Sequence, residues 1–265
     1  MDLQLRGKRV IVTGGNRGIG LAIADLLAAE GADVALVARD LEALQAAAAR
    51  IAAHGTRVVA VQADTTDDEA VRAMVDSVVG ELGGVDILVN AAATPSSSNA
   101  TPTLATLSDD ALHAELDTKV VGYLRCARAV APHMAASGWG RIINISGLNA
   151  RQSGSIAGSI RNVAVVALTK NLADELGPLG INVTVVHPGR TITERTASML
   201  ASRSADLGIT PDELAAQLAV GTSIGRNVTA AEVANVVAFL ASPRSVAITG
   251  DVIAAGGGAR GAIHY

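Results

Sequence analysis

Aromatic residues are scarce, 2% of the 265: one Trp, one Phe and two Tyr, the last at Tyr123 and Tyr265. With so few rings and a formal net charge of −4, a surface that stacks bases or neutralises a phosphate backbone is not expected. Cys126 is the sole cysteine, so no disulfide can close within the chain. Its setting, Leu124, Cys126-Ala127 and Val130, reads as the interior of a helix. Long apolar runs are also missing. Arg6, Lys8 and Arg9 precede only the strand-length run Val10-Ile11-Val12, so neither a signal peptide nor a membrane span is expected, and the cytoplasm is the default compartment. No linker or charge run divides the chain, which predicts one domain over 1–265. His54, His113 and His133 have no partners at metal-ligand spacing, and no metal site is expected.

What is abundant is Ala, Val, Leu and Ile, within a hydrophobic share of 49%. Strand-length apolar runs at 8–13, 33–38, 57–62, 86–90, 141–146, 181–187 and 248–254 alternate with helical patterns near 18–30, 40–53, 67–82, 108–137, 157–177 and 230–241. Such alternation predicts an α/β fold, a doubly wound parallel sheet with helices on both faces. Ligands of such a sheet lie at the carboxyl ends of its strands. Thr210-Pro211-Asp212-Glu213 has the residues of a helix start inside the polar stretch 190–227.

Thr13-Gly14-Gly15-Asn16-Arg17-Gly18-Ile19-Gly20 joins the first strand to the first helix. Gly14 can take backbone angles closed to other residues, Gly18 and Gly20 allow close backbone approach, and the helix N-terminus favours a phosphate. A dinucleotide therefore fits a Rossmann-like turn here. At the end of the second strand, Val37-Ala38-Arg39-Asp40 puts Arg39 where an acid would hold an unphosphorylated ribose. Arg39 and Arg17 favour a 2′-phosphate and hence NADP(H) over NAD(H); a register slip would put Asp40 on the ribose and select the other form.

The glycine spacing, Gly-x-x-x-Gly-x-Gly after a threonine, resembles that of the short-chain dehydrogenase/reductase family. Asp64, followed by Thr65, resembles the family's adenine-contacting aspartate. Asp86-Ile87-Leu88-Val89-Asn90 resembles the strand that leads into its Asn-Asn-Ala-Gly turn, here Asn90-Ala91-Ala92-Ala93. Gly140-Arg141-Ile142-Ile143-Asn144-Ile145-Ser146 resembles the strand of the catalytic serine, with Gly147 at the serine's usual place. Pro188-Gly189-Arg190-Thr191-Ile192-Thr193 resembles the turn that holds the nicotinamide carboxamide. The resemblance implies cofactor contacts at Gly14, Asn16, Arg17, Gly18, Ile19, Gly20, Arg39, Asp64, Thr65, Asn90, Ala91, Pro188, Gly189, Thr191 and Thr193, with a substrate lid over 190–227.

The family protonates its substrate oxygen with a tyrosine and a lysine four residues later. No Tyr-x-x-x-Lys occurs in this chain. Aligning the helix Val166-Ala167-Leu168-Thr169-Lys170 with the family's puts Gly158 at the tyrosine and Asn162 at the lysine, while Lys119 takes the place of an asparagine on the preceding helix. Lysine and asparagine have exchanged places. Lys119, Asn162 and Ser146 are thus the candidate catalytic residues, with Lys119 a proton donor or a fixed cation for an oxyanion; alternatively Lys119 reaches solvent or pairs with Asp117 or Glu115. Arg151, Ser155, Ser159 and Arg161 are further polar candidates, and His187 reads as a hydrogen-bonded wall residue.

The expected function is an NADP(H)-dependent oxidoreductase acting on a small carbonyl or hydroxyl substrate. The alternatives are a non-redox enzyme (isomerase, lyase or cyclase) or a catalytically silent dinucleotide-binding protein. The family's assembly implies a homotetramer or homodimer through the helices near 108–137 and 157–177, with the tail 259–265 running along a neighbouring subunit, where either Tyr265 or His264 supplies a polar group to its site or the tail packs for interface stability alone.

Overall fold

In chain order the elements are β1 Arg9–Thr13, α1 Gly18–Ala29, β2 Asp33–Ala38, α2 Leu41–Ile51, β3 Val58–Gln62, α3 Asp68–Leu82 and β4 Ile87–Asn90. There follow α4 Asp109–Leu116, α5 Gly122–Ser137, β5 Gly140–Ile145, α6 Ile156–Leu176 and β6 Ile181–Pro188. The chain closes with β7 Thr191–Ile192, α7 Thr196–Leu207, α8 Pro211–Ala219, β8 Val228–Thr229, α9 Ala230–Ala241 and β9 Val252–Ala255. This computed structural model describes residues 1–93 and 101–260.

Seven strands form one sheet in the order β3-β2-β1-β4-β5-β6-β9, all paired parallel. This is the doubly wound α/β arrangement that the alternation predicts. Helices cover both faces, because β1 sends its side chains alternately to each. Val10 and Val12 join the core under α1, α2 and α9, whereas Ile11 joins the core under α3, α5 and α6. The strand order reverses between β1 and β4, where β1 pairs on one side with β2 and on the other with β4. That crevice, at the carboxyl ends, is where such sheets bind ligands. No helix among the described residues is long and apolar enough to cross a membrane.

Two expectations are corrected, and a third is extended. The helix expected over 108–137 is interrupted by a π turn, Asp117–Val121, whose closing bond runs from the Gly122 N–H to the Asp117 carbonyl. The strand expected over 248–254 starts only at Val252, because Gly250, at φ 69°, turns the chain first. The stretch 190–227 holds α7 as well as the helix begun at Thr210, whose hydroxyl and Glu213 form a reciprocal capping box. Pairing of β7 with β8, Thr191 opposite Val228, ties the two ends of this stretch together.

Candidate cofactor and catalytic site

The glycine turn is held by backbone fit. Gly14 has φ 67°, and a Cβ added there would lie 2.9 Å from the Ala91 carbonyl oxygen. A Cβ on Gly20 would lie 2.3 Å from the Gly14 oxygen. Thr13 couples this turn to the end of β4, its hydroxyl accepting from the Ala91 and Ala92 N–H groups at 3.1 and 3.2 Å. The altered turn Asn90-Ala91-Ala92-Ala93 is thereby anchored without the family's second asparagine. Asn90 donates to Asn144 at 3.0 Å, and Asn144 donates to Thr169 at 3.0 Å. This buried chain links β4, β5 and α6. The Asn90 Oδ1 is buried without a partner among the described residues.

At the end of β2, Arg39 is exposed, with its guanidinium 3.8 Å from Asp64. Asp64 accepts from the Thr66 N–H and hydroxyl at 3.0 and 2.9 Å. Burial pushes its carboxyl up, and those bonds together with Arg39 and Arg125 outweigh this to hold it below the usual range. Thr65 is buried beside Gly122. Asp40 is engaged elsewhere: it caps α2, accepting from the Ala43 N–H at 3.0 Å. Asn16, Arg17 and Gly18 line one cavity together with Thr193 and Glu194. Pro188 ends β6, Gly189 packs backbone to backbone on Gly256, and Thr191 donates to the Gly189 carbonyl at 3.1 Å. A contact without any local signal joins these turns: the Gly18 N–H donates to both carboxylate oxygens of Glu194, at 3.0 and 3.2 Å. The constricted cradle at Gly14 and Gly20, the anion-seeking amides of the α1 N-terminus and the orphaned Asn90 Oδ1 fit a dinucleotide.

The structure brings the three candidate catalytic residues together. Lys119 sits on the π turn, 5% exposed, and its Nζ donates to the Ser146 carbonyl at 3.0 Å. The Ser146 hydroxyl donates to the Asn162 carbonyl at 3.1 Å. The Asn162 Oδ1 is buried without a donor among the described residues. Neither carboxylate offered as an alternative partner takes Lys119: Asp117 pairs with Arg125 at 2.8 Å and Glu115 with Arg161. Burial without a counter-charge lowers the Lys119 ammonium to about 8. His187, buried on β6, accepts from the Gly147 N–H at 3.3 Å. Burial, with the charges of Arg151 and Lys119, pushes it down to about 4, so it is a neutral wall residue at pH 7.

Both serines among the remaining candidates are engaged locally. Ser155 caps α6, accepting from the Gly158 N–H at 3.1 Å, and Ser159 donates to the Gln152 carbonyl at 2.9 Å. Arg151 and both serines line an open cavity of about 650 Å³ beside Asn149. A Cβ at Gly158 would lie 2.7 Å from the Ser155 Oγ, so the cap fills the place aligned with the family tyrosine. Tyr123 is buried and donates to the Ile145 carbonyl at 2.9 Å; burial pushes its phenol up. Cys126 is buried, its thiol pushed up to about 12, in keeping with a packing residue. On α6, Ile156, Ile160 and Val163 are exposed, on a helix expected to join subunits. Of the tail, Arg260 donates from its N–H to the Gly221 carbonyl of its own chain at 3.1 Å; His264 and Tyr265 lie outside the described residues.

A sheet of this order, with a glycine turn at its switch point and polar residues gathered where β5 meets α6, defines a class of dinucleotide-dependent oxidoreductases. The chain belongs to the short-chain dehydrogenase/reductase family: the model described as enoyl-(acyl carrier protein) reductase matches residues 14–260. The short-chain reductase protein NovJ of Streptomyces niveus is 37% identical over 249 residues, 94% of this chain and 92% of that one. The L-sorbose reductase of Gluconobacter frateurii, complexed with NADPH and L-sorbose, superposes with a TM-score of 0.93 at 31% identity, over 99% of this chain and 100% of that one. An NAD⁺-bound xylitol dehydrogenase superposes at 0.87 with 29% identity, over 96% of this chain and 100% of that one.

Proposed function

We propose that the protein is an NADP(H)-dependent oxidoreductase acting on a carbonyl or hydroxyl group of a small molecule, with Lys119 in the role that a tyrosine and lysine fill elsewhere in the family. The observation that carries this reading is the Lys119 ammonium: buried, without a carboxylate within 4 Å among the described residues, and bonded only to the Ser146 carbonyl. An ammonium has three N–H groups, so two remain for a substrate oxygen. NADP(H), held by the glycine turn, would supply the hydride-transfer chemistry. Lys119 stabilises the negative charge that develops on the substrate oxygen and, lowered to about 8, gives up a proton more readily than an ordinary lysine. Asn162 offers its unpartnered Oδ1 as a further acceptor, and Ser146 ties the two segments together, its carbonyl accepting from Lys119 and its hydroxyl donating to the Asn162 main-chain carbonyl.

The residues proposed to hold the dinucleotide are the turn from Gly14 to Gly20, Asp64 and Thr65, Asn90 and Ala91, and the turn Pro188, Gly189, Thr191 and Thr193. NADP(H) is favoured because Asp40 is tied up as a helix cap, leaving exposed Arg39 for a 2′-phosphate. Of the similar structures, the sorbose reductase holds NADPH and the xylitol dehydrogenase NAD⁺, so the choice rests on Arg39 and Asp40. A second reading, dinucleotide binding without turnover, is favoured by the Ser155 cap that fills the space at Gly158.

Cofactor oxidation across a panel of small ketones separates the two. Lys119→Ala is expected to lose about a hundredfold in kcat or more with its fold intact, while Lys170→Ala, whose exposed side chain pairs with Asp174, keeps full activity. Unchanged turnover in the Lys119 variant removes it from the chemistry.

A further inference from the structure

A helix start leaves its first amides without intrahelical acceptors, and those amides make it an anion site. On α1 the anion is a side chain from 176 residues away: the Gly18 N–H donates to both oxygens of Glu194. The cap residue Arg17 makes no side-chain bond to the helix, and the first turn holds no acid, so Glu194 supplies what local sequence does not. Its aim is fixed by a small turn in which the Thr193 N–H donates to the Thr196 hydroxyl at 2.8 Å and the Thr196 N–H to the Thr193 carbonyl at 3.0 Å. Thr193 approaches the same turn, its methyl 3.8 Å from where a Gly18 Cβ would stand. A carboxylate and a diphosphate are both anions that seek this N–H, and they cannot share it.

We infer that Glu194 is an internal competitor of the cofactor diphosphate. Its carboxylate occupies the glycine turn until the dinucleotide displaces it, and its release frees the start of the 190–227 stretch to move with binding. Cofactor affinity is thereby set lower than the turn alone would give, and lid position is coupled to cofactor occupancy. The inference rests on the reading of the glycine turn as the dinucleotide site.

Calorimetric titration of the whole protein with NADP⁺ and with ADP-ribose, which carries the diphosphate without the nicotinamide, tests it. Glu194→Gln and Glu194→Ala are expected to bind both ligands about tenfold more tightly than the unmodified protein, from the usual worth of a charge-assisted hydrogen bond. Glu175→Gln, which removes the same charge from the exposed side of α6, is expected to change nothing. Equal or weaker binding by both Glu194 variants overturns the competitor role and leaves the dinucleotide site standing. Failure of all four proteins to bind either ligand overturns both.

Discussion

The two halves of the sheet hold their polar groups by different means. From β1 to β4 the candidate cofactor site is made of main chain: amides at the start of α1, a carbonyl pressed against Gly14, and a turn pinned by the Thr13 hydroxyl. From α4 to α6 the candidate chemical site is made of side chains seated on main chain: Lys119 on the Ser146 carbonyl, the Ser146 hydroxyl on the Asn162 carbonyl, and His187 on the Gly147 N–H. A main-chain site constrains side chains only by what must be absent, so its glycines keep the family spacing. A side-chain site can exchange its members while cavity and backbone stay put, which is what the proposed exchange of lysine and asparagine at Lys119 and Asn162 requires. One half reads as spacing and the other as residue identity: the spacing of Gly14, Gly18 and Gly20 resembles the family's even though the turn after β4 has become Asn90-Ala91-Ala92-Ala93, and no Tyr-x-x-x-Lys occurs in the chain.

The hardest test of that contrast is a methyl group. In Gly20→Ala the new Cβ would stand 2.3 Å from the Gly14 oxygen, so the turn must shift. Overpacking of this kind costs about 1–3 kcal/mol, and up to about a hundredfold loss of NADPH affinity is expected with it. Thermal melts and calorimetric titration measure the two together. Binding at full strength in this variant would mean that side chains carry the cofactor half after all.

On the other side, Lys119→Met should change stability in a pH-dependent way. The folded-state pKa lies near 8 against an ordinary 10.5, so the unfolded chain binds more protons between those values and stability rises with pH across that window. The penalty of the buried ammonium is complete below pH 8 and gone above 10.5. Its size is on the order of 3 kcal/mol, at about 1.4 kcal/mol per pH unit. The methionine variant is expected to be the more stable at pH 7 and to lack that rise. Urea unfolding between pH 7 and 10.5 reads it, and an unaltered slope would show that Lys119 is better solvated or paired than its contacts imply.

The smallest effect concerns Arg39, where the cofactor half does rely on a side chain. Because that guanidinium is 70% exposed, water screens it, and its contact with a 2′-phosphate is worth only about 1 kcal/mol, or roughly fivefold. NADPH is expected to bind more tightly than NADH, and Arg39→Ala to remove most of the difference. Equal affinities in the unmodified protein would end the argument for NADP(H).

How far the sequence disclosed all this depends on the range of the contacts involved. The strand and helix periods and the glycine spacing are local, and they led to the sheet and its switch point. The start of β9 is set by Thr249-Gly250, where Gly250 takes φ 69° and the Thr249 hydroxyl accepts from the Val183 N–H at 3.1 Å. Whether Arg39 or Asp40 would face a ribose was not decidable from the residues, since it turns on the cap that Asp40 gives α2. α7 carries no side-chain cap and buries only Ser204, so no stripe marks it. The Lys119 and Asn162 exchange stands out on alignment, but their meeting at Ser146 depends on the packing of α4 and α5 against α6. Glu194 and Gly18 share no local signal at all.

The π turn holds one residue more than an α-helical turn would, since its bond spans five residues from Gly122 back to Asp117. Segments of this kind are lengths before they are compositions. Every side chain upstream of Gly122 is rotated, relative to α5, by the angle that one inserted residue imposes, so the aim of Lys119 is fixed by a count. Replacing the neighbours Val120 or Val121 one at a time leaves that count untouched. A scan by substitution would therefore pass over the feature that points this lysine inward, whereas shortening the segment by one residue would swing the ammonium about a helical step around the axis, away from Ser146.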